Sequence, residues 1–126
     1  MFTSMNISAS AMTAERLRLD VISSNLASQD AITASGTPYQ RHMAVLQTLP
    51  NGGVYVSSIV VDGTPGPQVF DPTSPLANAQ GYVQQSNVNS VQEMVDLLAA
   101  TRSYQANVTA FDAGKTLAMD AIGVLA

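Results

Sequence analysis

Few residues in this chain of 126 have types and spacing that could do chemistry. His42 is the single histidine, cysteine is absent, and no carboxylate stands at ligand spacing from the imidazole. A metal centre needs three or four donors converging on one point, and this set cannot supply them. Beside Arg41, in a stretch with strand character, His42 reads as a structural residue. Glu93 and Asp96 form a close carboxylate pair, but both fall in the opening turns of an expected helix, where the helix dipole favours negative charge. A general acid and base would need a cleft holding substrate between them, and no pattern signals one. Gly63 and Gly66 bracket a turn, whereas a phosphate-binding glycine loop would follow a strand and open a helix. The residues expected to matter are contact residues. No catalytic, cofactor-binding or metal-ligating set is expected, and no enzymatic activity.

The elements that must position those contacts are helices at the two ends. From Asn87 to Leu125, Met94, Leu97, Thr101, Tyr104, Val108, Phe111, Lys115, Ala118, Ile122 and Leu125 recur at alternating steps of three and four. Only Thr101 and Lys115 break an apolar seam of the kind one helix lays along another. Ser90 with Glu93 fits a capping box, and Asn89 with Gln92 fits the same pattern one residue earlier. About 36 residues at 1.5 Å each give a rod of roughly 54 Å. Gly114, mid-helix, costs about 1 kcal/mol against Ala, which predicts the close approach of a neighbour. Away from the seam the helix carries mostly Ala, Ser, Gln, Asn and Thr where a solvated helix would carry Lys and Glu, so its second face is expected to be covered by other chains.

Residues 5 to 27 form a second helix. Met5, Met12, Leu19 and Leu26 repeat every seven, Ala9 and Ile22 fill in one side, and Glu15, Arg16, Arg18 and Asp20 make a polar face. Such a helix is marginal alone, and pairing it with the C-terminal one makes a parallel or antiparallel stalk. Between them, residues 28 to 38 read as helix exit and irregular chain, Tyr39 to Leu49 as a strand, and Pro50-Asn51-Gly52-Gly53 as a turn. Val54 to Val61 is the clearest strand, with a bulge before Ile59. Gln68 to Phe70 is a short strand and residues 71 to 81 a loop. The expected fold class is mainly α with a small β part of three strands: a coiled-coil-like helical stalk and a short β-rich middle. The expected divisions are 1–35, 36–86 and 87–126.

Composition bounds the partners. Charged residues are 11% of the chain, against about 25% in an average globular protein. Apolar content is an ordinary 46%, so Ser, Thr, Asn, Gln and Ala replace the missing charge. A surface of that kind suits contact with other protein. A net charge of −4 with five basic residues argues against nucleic acid or an anionic membrane as partner. No run of 18 apolar residues marks a membrane span, and Glu15, Arg16, Arg18 and Asp20 fall where a signal-peptide core would lie.

Two motifs carry a resemblance. Ser24-Asn25-Leu26-Ala27, followed by Thr33, Gly36, Pro38, Tyr39 and Arg41, resembles the N-terminal signature of bacterial flagellar rod and hook proteins. The run from Asn87 to Leu97, followed by Arg102-Ser103-Tyr104-Gln105-Ala106-Asn107, resembles the C-terminal signature of the same axial family and is the more specific of the two. With Asp71-Pro72 and Gly81-Tyr82-Val83, the chain looks most like the proximal rod proteins of the basal body. The resemblance covers both ends, while residues 42 to 70 rest on position only. It implies a non-enzymatic protein without cofactor, whose copies assemble helically with terminal helices lining a tube and β-rich parts facing outward. Implied partners are copies of itself, other rod proteins, basal-body adaptor or ring proteins and the flagellar type III export apparatus. The implied place is the periplasmic rod, reached without signal cleavage.

The assembly residues expected on this basis are Met94, Leu97, Tyr104, Val108, Phe111 and Ile122 on the C-terminal seam. Met5, Met12, Leu19, Ile22 and Leu26 stand opposite them, and Asn25, Asn87, Asn89, Glu93, Arg102 and Asn107 are polar contacts. The competing expectation is a soluble helical adaptor or export chaperone, which would be a stable monomer or dimer in solution.

Overall fold

A computed structural model describes residues 2–126. In chain order it contains α1 (Phe2–Ser28), β1 (His42–Thr48), β2 (Val54–Val61), β3 (Gln68–Phe70), β4 (Tyr82–Gln84) and α2 (Ser90–Leu125). The two long helices pack on one another, and the small β part lies between them in sequence, as the sequence patterns predict.

The helices run antiparallel. Asn25, near the end of α1, bonds Glu93 near the start of α2 at 3.2 Å. At the other end, a Cβ added to Gly114 would lie 2.8 Å from Met5 Cγ, so the expected close neighbour of that glycine is Met5. This contact sets the register, and steps of seven put Met12 level with Asn107 and Leu19 level with Ala100. Met5 and Leu19 on α1 thus stand over the small residues Gly114 and Ala100 on α2. The face of α2 turned to α1 is Glu93, Leu97, Ala100, Tyr104, Asn107, Phe111, Gly114 and Ala118, all buried or half-buried.

That face corrects the expected seam. Leu97, Tyr104, Phe111 and Ala118 stand as expected, but the alternate column is Glu93, Ala100, Asn107 and Gly114. Met94, Lys115 and Ile122 are exposed, while Thr101 and Val108 flank the contact half-buried. The helix is rotated by about 50° from the most apolar orientation. Two causes act together: Ala100 and Gly114 let the backbones come close, and Glu93 must reach a charge partner inside the molecule. Glu15 is a second correction. It lies in the α1 seam between Met12 and Leu19, buried, with Arg18 bonded to it at 3.4 Å, and does not share the exposed face of Arg16 and Asp20.

β1 and β2 form an antiparallel hairpin that lies against α1. Its turn carries Gly52 at φ +90°, with the Gly52 N–H bonded to Leu49 O at 3.0 Å. Ser57 is the extra residue of a bulge, since Val45 pairs Ser58 and Leu46 pairs Val56. β3 and β4 form a second, separate hairpin whose rings Phe70 and Tyr82 meet edge to face at 5.3 Å. Four strands in two hairpins replace the expected three. Residues 82–84 are too short for an alternating pattern, and pairing with β3 decides their conformation.

Apolar burial is thin. Ala14, Val21, Ile22, Ala100 and Ala118 are the only buried apolar side chains among the described residues. The accessible surface is 8195 Å², against roughly 6,400 Å² expected for a compact 13.2 kDa monomer.

Candidate assembly interface

Three segments far apart in sequence meet at the base of the β1–β2 hairpin. Asn25 projects from α1 and is 1% exposed. Its Oδ1 accepts from the His42 backbone N–H at 3.0 Å, and its Nδ2 donates to the His42 carbonyl at 2.8 Å. The side-chain amide thereby takes the place of a neighbouring strand, satisfying both polar groups of the first β1 residue. Tyr39 Oη donates to the same Oδ1 at 2.9 Å, and the second Nδ2 hydrogen goes to Glu93 Oε2 at 3.2 Å.

Glu93 is 0% exposed. A buried carboxylate is tolerated only with charge and hydrogen-bond partners. Arg41 supplies the charge: its Nε bonds Glu93 Oε1, and its second arm reaches Asp96 at 3.3 Å. The Arg41 N–H donates to Asn87 Oδ1 at 2.7 Å, and Asn87 Nδ2 donates to the carbonyls of Asp62 at 2.9 Å and Thr64 at 2.8 Å. Asn87 therefore ties both strands of the hairpin base to the approach to α2. Asn89 caps that helix, accepting from the N–H groups of Val91 and Gln92, so the later of the two expected caps is not used. Ser90 instead bonds Gln29 at the end of α1. Asp62 closes the junction. Hydrogen bonds from the Thr64 backbone N–H and hydroxyl, with Arg41 adding charge, hold its carboxyl below the ordinary 3.8 against slight desolvation.

Of the residues expected to matter, Asn25, Asn87 and Glu93 are brought together here, and Arg41 and Tyr39 join them. Those two belong to the recognised motif, yet no role for them was legible. Arg41 was detectable as the single Lys or Arg between residues 19 and 101. Leu97, Tyr104 and Phe111 are half-buried on α2, and Met5, Met12, Leu19 and Leu26 half-buried and Ile22 buried on α1. Arg102 is exposed, and Asn107 donates to the Ser103 carbonyl at 2.8 Å.

His42 stacks on Tyr39 at 5.2 Å, and its Nδ1 lies 2.9 Å from Gln40 O. Both rings line an open cleft of about 550 Å³ between the 33–40 turn, residues 63–66 and residues 84–87. Among the described residues, no carboxylate lines that cleft.

The outer side of α2 carries a feature that sequence reading missed. Val91, Met94, Val95 and Leu98 are all exposed and lie at the i, i+3, i+4, i+7 spacing of one helix face, away from α1. Their spacing is the signal in the sequence, overlaid there by the longer seam that shares Met94. Among the described residues, no helix is long and apolar enough to cross a membrane.

Comparison with known proteins finds a family match at each of the two helices. The family model described as flagella basal body rod protein matches residues 5–27, and that described as flagellar basal body rod FlgEFG protein C-terminal matches residues 79–124. The chain is 43% identical to the flagellar basal-body rod protein FlgC of Bacillus subtilis, over 98% of this chain and 97% of that protein. It is 38% identical to the FlgC of Aquifex aeolicus, over 92% and 90%. With the FlgC of Escherichia coli O157:H7 it shares 41% identity, over 89% and 88%. Two packed terminal helices and near full-length likeness at this level lead to one conclusion: the chain belongs to the FlgC family of flagellar basal-body rod proteins, and is a structural rod subunit.

Proposed function

We propose that this protein acts without catalysis, as a building block of the proximal rod, assembling with copies of itself and with other rod and basal-body proteins. The observation that carries this reading is the surplus surface. About 1,800 Å² more is exposed than compact-monomer scaling gives, and much of it is apolar helix. That is about twice the ~800 Å² that one partner contributes to a standard protein–protein interface. The segments 1–35 and 87–126 form the axial core, and 36–86 is a smaller outward part. Met94, Arg102 and Ile122 are direct contacts to neighbours. Asn25, Asn87, Asn89 and Glu93 act by holding the helices and hairpin in the geometry that assembly needs, as do the residues of the α1–α2 seam. Export through the flagellar type III apparatus, without signal cleavage, and residence in the periplasmic rod complete the reading.

The test is complementation of a bacterium lacking its own FlgC, followed by cryo-EM of its isolated basal bodies. Restored swimming with density for this chain in the rod is the expected result. Rods absent despite normal expression and export would overturn it.

A further inference from the structure

The tip of the β1–β2 hairpin rests on α1, about four helical turns from the Asn25 junction. A Cβ built on Gly52 would lie 3.3 Å from Ile7 Cδ1, and the Val54 N–H donates to Ser10 Oγ at 3.1 Å. Ser10 in turn donates to the Ile7 carbonyl at 2.7 Å, so one hydroxyl clasps the tip to the helix. Asn51 stands in that tip, exposed, with its Oδ1 accepting from the Gly53 N–H at 3.0 Å. It is the only one of seven asparagines followed by glycine, so no side chain shields the Gly52 nitrogen beside its amide carbon. Asn78 is the internal comparison. It is also exposed, and its Oδ1 accepts from the Gln80 N–H at 3.0 Å, the same two-residue step, but Ala79 follows it. Asn6, Asn25 and Asn107 lie inside helices, where the following N–H is tied to a carbonyl one turn back. Asn87 and Asn89 precede Val and Ser.

We propose that Asn51 is a self-modification site, deamidated by attack of the Gly52 nitrogen at a rate set by how often the hairpin tip leaves α1. The Gly52 N–H gives its proton to hydroxide, and the nitrogen bonds to Asn51 Cγ to close an imide ring. The Cγ–Nδ2 bond breaks, and ammonia leaves with a proton from water. Water then adds to one or other imide carbonyl and breaks its bond to nitrogen, leaving aspartate or isoaspartate at position 51. The Gly53 N–H already sits on the oxygen that takes the negative charge during ring closure, and that bond lies within the turn itself. The Leu49 carbonyl acts the other way: its 3.0 Å bond to the Gly52 N–H must open before the nitrogen can react. The Ser10 clasp keeps that bond closed, so local opening of the tip gates the reaction. Asp62-Gly63 is the other pair able to close such a ring. The Thr64 hydrogen bonds keep the Asp62 carboxyl ionised, and an ionised carboxylate has no neutral group to expel. Either product at 51 adds a negative charge. Isoaspartate also adds a carbon to the main chain of the turn, which pulls the Leu49 bonds out of register and frees the tip from α1. The age of a subunit is thereby written in its hairpin. This chemistry needs only a folded chain and water, so it stands or falls apart from the rod-subunit reading.

The test incubates the purified full chain in mildly alkaline buffer over days and follows its proteolytic fragments by mass spectrometry. A gain of about 1 Da localised to residue 51, in two isomeric products, is expected well before any gain at Asn78. Ser10→Ala removes one hydrogen bond from the clasp and should speed the reaction at Asn51 about two- to tenfold, with Gly52 amide exchange rising by the same factor. Circular dichroism checks that the helices of this variant persist. Urea below the unfolding midpoint opens the tip of the unaltered chain and should speed Asn51 in the same direction, which tests the gate without a substitution. Asn78 keeping pace with Asn51 would overturn the site. A rate at Asn51 that neither Ser10→Ala nor urea raises would overturn the gate.

Discussion

Replacing Arg41 by Met removes the guanidinium and leaves nearly everything else in place. The Arg41 backbone still donates to Asn87 and accepts from Asp62, so the hairpin base keeps its main-chain bonds. What changes is Glu93: its carboxylate, 0% exposed, keeps only the Asn25 amide at 3.2 Å. Breaking a buried pair by removing one partner costs about 3–5 kcal/mol, because an uncompensated charge stays behind. The arm to Asp96, whose side chain is 30% exposed, adds at most about 1 kcal/mol. Total stability for a domain of this size is about 5–15 kcal/mol, and a thin apolar core puts this one low in that range. A thermal midpoint drop of about 10–20 °C follows. The assay is circular dichroism at 222 nm against temperature and urea, repeated on Arg41→Met/Glu93→Leu. The double variant should regain most of the loss, since an apolar pair in place of a buried ion pair is often neutral or stabilising. A midpoint shift under about 3 °C for Arg41→Met, or a double variant no better than the single one, would refute the claim that Glu93 depends on this charge.

Two further outcomes test the junction. A Cβ on Gly66 would meet Gln85 O at 2.2 Å and Ser86 O at 2.6 Å, which are backbone atoms that cannot swing aside. Gly66→Ala should cost about 1–3 kcal/mol and loosen the β3–β4 hairpin, read as a lower urea midpoint with NMR shift changes confined to residues 62–70 and 82–89. Asp62 has a folded pKa below its ordinary 3.8, so its share of stability is complete above that value and is lost as pH falls through the folded one. An NMR titration should place its midpoint below 3.8, and Thr64→Val should raise it by removing the hydroxyl.

Part of this molecule was decided by local pattern. The helical ends, the turn at Leu49–Gly53, the β2 strand and its bulge, and Gly114 as a point of close approach all follow from residue spacing and backbone freedom. These effects act over a few residues, so a linear reading reaches them. The sequence motifs also reached the rod and hook family. Tertiary structure decided the rest. Periodicity placed Met94 and Ile122 on the helix seam, but the rotation of α2 depends on where Ala100 and Gly114 admit Met5 and Leu19, and on Glu93 being drawn to Arg41. Such terms join residues 52 positions or more apart, and no window along the chain contains both partners. The same holds for Asn25, whose amide completes a strand that begins 17 residues later. A motif can mark such a residue, but the hydrogen bonds that give it a role exist only once the chain has folded.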